Sequence, residues 1–308
     1  MPLQNGESDS AVFRWTMNDD RLIQGMAGGG DFRILAAQTT NTVETAREIL
    51  DLSPVAADAL GRALTGSLLL ARLLDKDMRN QYVTLRFEGS GPLGVVIAEA
   101  NVSGGARGYV ANPIPQDASL DVSRAIGRGI LTVIRGTPPV GRPYTSQVTL
   151  ETGGIATELT RYLAGSEQIA SAVLLGVMNR REGVAAAGGI IIQAFPHTTE
   201  EAIAEVESRI KQAPPLSTLI EKMPIEDVVA TVLQGMEYKQ IDESFNVPVE
   251  YRCTCSRERA FAPIALFSRD EIREMADEGG TEVTCQFCGR KYAFTKDDLL
   301  ALTATHDA

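Results

Sequence analysis

From Asp31 onward the chain alternates short apolar runs with glycine-rich breaks, the pattern of strands joined by turns. "DFRILAAQTT" (31–40) predicts a strand, and "NTVETAREIL" a short helix capped by Asn41 or Thr42. Over 53–74, "SPVAADALGRALTGSLLLARLL" has Ser53 as cap, Pro54 in the first turn and apolar residues at helical spacing, which predicts a central, buried helix. "QYVTLRFEGS", "GPLGVVIAEA" and "ARGYVANP" read as a meander of strands, and "GILTVIRG" with "YTSQVTLE" as a hairpin around "TPPVGRP". A helix from Gly154 to Leu163 follows, then two strands, "QIASAVLLGVMN" and "GVAAAGGIIIQAF", joined by "RREG". The strand-rich part closes near Pro196.

The character changes at Thr198. "TTEEAIAEVESRIKQ", "PLSTLIEKM" and "PIEDVVATVLQGM" are short helical segments separated by Pro214, Pro215 and Pro224, each with an apolar stripe and acidic residues near its start, where the helix dipole favours them. Helices this short are not stable alone, so they must pack on the strand-rich part or on a partner. Near Phe245 a third region opens with the extended stretch "FNVPVEYRC", and "SRDEIREMADEGG" predicts one helix, capped by Ser268 and closed by Gly279 and Gly280. The expected fold is α+β: a strand-rich domain with buried helices (1–196), a helical linker (197–244) and a small C-terminal module (245–308).

Composition adds limits. The 308 residues are 44% apolar and 22% charged, enough for a large core. A formal charge of −11 works against capture of nucleic acid or anionic lipid, so neither is an expected partner. "MPLQNGESDS" lacks the charged start and apolar run of a secretory signal, and no apolar stretch is as long as a membrane span. The expected location is the cytoplasm.

All four cysteines fall in two tight pairs, Cys253-x-Cys255 and Cys285-x-x-Cys288. Two stapling disulfides suit small secreted domains, whereas in a reducing compartment clustered thiols are more often metal ligands or redox centres. Four thiolates from two knuckles make a tetrahedral site that suits one zinc ion. An inert zinc ribbon is one reading of it. Two features point to reactivity: Arg252, Arg257, Arg259, Arg290 and Lys291 lie close in sequence and would favour thiolate, unless they are solvated surface charge. Each pair is also close enough to close its own ring, and the Cys-x-Cys ring is small and readily reduced.

The chain resembles the redox-regulated heat-shock protein 33 family. The resemblance lies in "CTCSRER" and "EVTCQFCGRKY", and in "LTGSLLLARLL", "GPLG", "RGYV", "GILTV", "GSEQIASAVLLGV" and "AAGGIIIQ", in the family's order from about residue 64 to 291. It implies an ATP-independent holdase, inactive when reduced and zinc-bound, active on unfolding proteins after oxidation, and a homodimer in that state. It also implies oxidised bonds from Cys253 to Cys255 and from Cys285 to Cys288, and a helical linker wrapped over a strand-rich domain. The tail to about Arg21 carries no motif of the family.

On that reading the linker helices dock partly on the C-terminal module, so that its loss uncovers their apolar stripe. Candidate client-binding residues are Ile203, Val206, Ile210, Leu216, Leu219, Ile220, Val228, Val229 and Leu233, each equally readable as a core-facing position of an amphipathic helix. Met223 and Met236 could join that surface or fill a core. The glycine clusters in "GMAGGGDFR" and "GRGILTV" precede strands, so they read as turns and not as phosphate-cradling loops. His197, at a domain edge, and His306, in a tail, are not placed as catalytic bases, and no Gly-x-Ser-x-Gly elbow is present. Trp15 is a fluorescence probe. The competing reading is a cytoplasmic enzyme or regulatory protein with an inert zinc ribbon.

Overall fold

The computed structural model describes residues 16, 19–74, 80–117, 119–137, 140–241 and 246–305. Trp15, Phe245 and His306 lie outside them. At the centre is the helix α2 (Pro54–Ala71), opened as expected by Ser53, whose side chain accepts from the Ala56 N–H. Fifteen of its 18 residues are buried, as an all-round apolar helix requires. Its two interior glycines allow close packing: a Cβ at Gly61 would stand 2.7 Å from Val43, and one at Gly66 would stand 2.6 Å from Leu159.

Two antiparallel sheets enclose α2. Sheet A contains β1 (Arg21–Ala27), β2 (Phe32–Gln38), β8 (Ser171–Arg180) and β9 (Gly183–Ala194), in the order β1-β2-β9-β8. Sheet B contains β3 (Tyr82–Gly89), β4 (Val95–Asn101), β5 (Gly105–Val110), β6 (Gly129–Thr137) and β7 (Val140–Leu150), in the order β5-β4-β3-β6-β7. The short helices α1 (Thr40–Leu50), α3 (Val122–Ile126) and α4 (Ile155–Ser166) complete this body. α1 starts earlier than its sequence suggests, with Thr39 and not Asn41 or Thr42 at the N-cap. Asp20 supplies the acceptors, taking the Asn41 and Thr42 N–H groups at 3.1 and 2.6 Å.

Sheet A is covered on both faces, which explains its continuous apolar runs. In β9, Ile191 faces α2, while Ile190 and Ile192 join Ile23, Ile34 and Ala36 on the far face. That far face is roofed by α5 (Glu200–Gln212), α6 (Leu216–Ile220) and α7 (Ile225–Leu233). The chain then returns to sheet A: β10 (Tyr238–Gln240) pairs with β1 at Gly25–Ala27, and β11 (Val247–Pro248) pairs with β1 at Arg21 and Leu22. The stretch 197–244 therefore contributes a strand as well as helices.

β12 (Glu250–Tyr251) crosses to the other sheet and pairs with β5, in parallel. The C-terminal module follows, with α8 (Arg257–Phe261), α9 (Arg269–Asp277), the hairpin of β13 (Gly280–Thr284) and β14 (Lys291–Thr295), and α10 (Lys296–Thr305). Its own small core is built on Ile264, Ile272, Ala276, Phe294 and Leu299. The module seats on β5 of sheet B, whereas the linker helices seat on the far face of sheet A. This corrects the expectation that the linker docks on the module. The link between them runs through β1, which carries β10 and β11 end to end along one edge. The whole is an α+β fold with a strand-rich body, a helical cover and a small four-cysteine module.

Candidate metal centre

Cys253 and Cys255 follow β12 in an extended segment, and Cys285 and Cys288 flank the turn between β13 and β14. Within that turn the Gly289 N–H donates to the Cys285 carbonyl (2.8 Å), and the Cys285 N–H donates to the Arg290 carbonyl (2.9 Å). Gly289 has φ +68°, a left-handed conformation that suits glycine. α9 returns the chain so that the two knuckles meet. Its Ser268 makes a full capping box with Glu271, and Gly279 follows at φ +99°.

The four sulfurs all lie within 4.8 Å of one another. Cys253 and Cys285 are 3.7 Å apart, and Cys255 and Cys288 are 3.5 Å apart. A zinc–sulfur bond of about 2.3 Å gives a tetrahedron with edges of about 3.8 Å, so the cluster fits a tetrathiolate site. It is half-buried, which leaves the sulfurs within reach of small solutes.

The thiols are not equivalent as acids. Burial, with hydrogen bonding among the neighbouring thiols, pushes Cys253 up to about 12, and burial also raises Cys288. At Cys255 burial acts upward too, but hydrogen bonds from the Tyr292 hydroxyl, 3.1 Å away, and from the adjoining thiols outweigh it and bring the group down to about 7.

Of the five cationic residues near the cysteines, Arg290 acts on the cluster, electrostatically on Cys255 and Cys288 and through a hydrogen bond with Tyr292, while the other four are engaged with neighbouring groups. Arg252 pairs with Glu250, Lys291 with Glu282, and Arg257 with Asp298 while its guanidinium lies 4.5 Å over the Phe294 ring. Arg259 donates to the Thr254 carbonyl. The role of these four is mainly to tie the module together.

The candidate client residues do not sit near the cysteines. Val206, Leu216, Leu219, Ile220, Val228, Val229 and Leu233 are buried against the far face of sheet A, and Ile203 and Ile210 are half-buried there, with Met223 and Met236 beside them. His197 is exposed, 3.4 Å from Asp31 and stacked on Phe195. Sequence reasoning missed Tyr251 and Phe287, which lie beside the cysteines in sequence yet contact β5. Only their aromatic character next to a knuckle could have drawn notice.

Fold and site together define an α+β protein with one half-buried cluster of four thiols on a separate small module. The model of the Hsp33 protein family matches residues 20–295. A 33 kDa chaperonin of Thermus thermophilus is 42% identical over 297 residues, covering 92% of this chain and 86% of that protein. One of Deinococcus radiodurans is 38% identical over 288 residues, covering 91% and 97%. The crystal structure of the 33 kDa chaperonin (heat shock protein 33 homolog) of Thermotoga maritima matches with a TM-score of 0.83 at 32% identity, covering 94% of this chain and 100% of that one. The chain belongs to the Hsp33 family, and that membership places it among chaperones. Among the described residues no helix is long and apolar enough to cross a membrane.

Proposed function

We propose that the chain is a redox-regulated, ATP-independent holdase of the cytoplasm, held inactive while its four thiols are reduced and share one zinc ion. The observation that carries this reading is the cluster itself: four sulfurs at tetrahedral spacing, half-exposed, on a module with a very small core of its own. When bound, the ion supplies a cross-link between the two knuckles, which stabilises modules of this kind by about 10–16 kcal/mol. Cys253, Cys255, Cys285 and Cys288 are its proposed ligands.

Peroxide is the proposed oxidant. A thiolate sulfur attacks the O–O bond, giving a sulfenic acid and hydroxide. A neighbouring thiol then displaces water from that sulfur to form a disulfide. Each disulfide takes two electrons from the pair and passes them to one peroxide. Bonds from Cys253 to Cys255 and from Cys285 to Cys288 consume all four ligands. The module then loses its cross-link and opens, and the linker (197–244) loosens through β11, β1 and β10. Ile203, Val206, Ile210, Leu216, Leu219, Ile220, Val228, Val229 and Leu233 thereby become available to unfolding clients, together with the sheet face beneath them. A homodimer is the proposed active form.

The test treats zinc-loaded protein with peroxide at mildly elevated temperature, following zinc release, free thiols and suppression of client aggregation. All three change together and reverse with a thiol reductant. Zinc that stays bound, or leaves without holdase activity, would instead favour an inert ribbon on a protein of another function.

A further inference from the structure

The β5 edge of sheet B is closed by an improvised partner. β12 supplies brief parallel pairing: the Glu250 N–H donates to the Gly104 carbonyl (3.1 Å), and the Arg252 N–H donates to the Ala106 carbonyl (2.7 Å). Beyond it the outward backbone groups of β5 are still covered, now by a side chain. The Tyr251 hydroxyl accepts from the Gly108 N–H at 3.4 Å and lies 2.8 Å from the Gly108 carbonyl oxygen. It also lies 2.5 Å from the Phe287 carbonyl, so one hydrogen serves two acceptors.

A side-chain shelf adjoins this edge. The Phe287 ring, which projects from the second knuckle, lies 4.5 Å from the Arg107 guanidinium and meets Tyr109 edge-on at 5.4 Å. Arg107 is aimed by Glu99 (2.9 Å) and also donates to Thr254 Oγ1 (3.1 Å). What occupies β5 is therefore an extended backbone plus two aromatic side chains, Tyr251 and Phe287. An exposed strand edge templates such pairing from any chain that offers it. Tyr251 and Arg252 lie within two residues of Cys253, Thr254 lies between the first pair, and Phe287 lies between the second. The cover thus depends on the knuckles staying together.

We propose that the β5 edge from Gly104 to Gly108, with the Arg107–Tyr109 shelf, is a strand-addition site for an extended, aromatic-bearing segment of an unfolding polypeptide, occluded by residues 250–254 and Phe287 while the thiols are reduced. This rests on the holdase reading and adds a second client surface, on the opposite sheet from the one under the linker helices. The chain's own segment acts there as a stand-in for the client.

Amide hydrogen exchange on the full-length, zinc-loaded chain tests this, with a reduced, carboxymethylated, permanently unfolded protein as probe. Oxidation speeds exchange at Ala106 and Gly108 at least tenfold, and the probe slows both again by a similar factor. Tyr251→Phe, which leaves every cysteine in place, speeds Gly108 exchange several-fold in the reduced state and gives measurable probe binding at unchanged zinc content. Amides of β5 that stay slow on oxidation overturn the proposal. So does probe binding to the oxidised chain that leaves them fast while protecting other segments, and in that case the holdase reading survives. Absence of any probe binding after oxidation sinks both. Should Tyr251→Phe lose its zinc, the wild-type exchange pattern decides.

Discussion

At the residue scale, Asp20 shows how one carboxylate can organise a helix start and set a pH dependence. Its oxygens take the Thr42 N–H (2.6 Å), the Thr42 hydroxyl (2.7 Å) and the Asn41 N–H (3.1 Å), satisfying donors that the first turn of α1 leaves without partners. Burial nonetheless dominates those hydrogen bonds and raises the group to about 6 from 3.8. The folded chain then holds this proton more tightly than the unfolded chain. The associated stability is fully present below about pH 4 and is lost as pH rises through about 6. Asp20→Asn removes that term. Urea unfolding at pH 4.5 and 7 should show the wild type losing up to about 2 kcal/mol more than the variant across the interval. Equal pH dependence in the two proteins would mean that Asp20 is ionised throughout.

At the element scale, α7 is fastened to β1 by one ion pair. Arg21, with its side chain only 3% exposed, makes a two-pronged contact with Glu226 at 3.1 and 2.7 Å and donates to the Thr16 and Asp19 carbonyls at 3.0 Å. Arg21 lies opposite Pro248 of β11, so the strand leading into the cysteine module and the last linker helix meet at one residue. Glu226→Gln keeps the shape and removes the charge that a buried guanidinium needs, a loss of about 2 kcal/mol because Glu226 is partly exposed. Amides over 200–233 in the reduced protein should exchange about thirtyfold faster, with those of β3–β6 unchanged. Uniform acceleration would indicate global destabilisation and no local fastening. In the module, Ser268→Ala breaks the capping box and should lower its stability by about 1 kcal/mol, read as an earlier thermal melt of the β13–β14 amides.

These elements also mark what the sequence discloses. α2 and α9 carry local signals, a serine cap with Pro54 in one and a serine–glutamate box with terminal glycines in the other, and both lie where those signals place them. The cysteine spacing likewise announces the cluster. β1 stays hidden because it is buried almost throughout, with Arg21 and Gln24 among the buried positions, so no polar–apolar alternation marks it. β12 is two residues long and has no pattern at all. The contacts of Tyr251 and Phe287 with β5 join positions more than 140 residues apart, and nothing local encodes them. The seat of the module on sheet B, away from the linker, is invisible for the same reason.

At the scale of the whole molecule, stability is unevenly distributed. The body has a core that runs from sheet B through α2 to sheet A, whereas the module's own core is a handful of side chains. A unit of that size ordinarily needs a metal or disulfides to stay folded. Opening should therefore proceed in a fixed order when a strong chelator is added to the reduced protein. Amides of α9 and of β13–β14 lose protection first. Those of α5–α7 follow, because β11 frays from β1 and loosens the Arg21–Glu226 fastening. The amides of α2, β3, β4 and β6 remain slow, while the β5 edge loses its cover with the module. Hydrogen exchange followed over time measures this order directly. A module that keeps its protection without metal, or a single cooperative loss across all three regions, would contradict it. The formal charge of −11 adds a further expectation: repulsion between opened chains limits their self-association, so chelated protein at low ionic strength should stay dispersed, and added salt should screen that repulsion and promote aggregation.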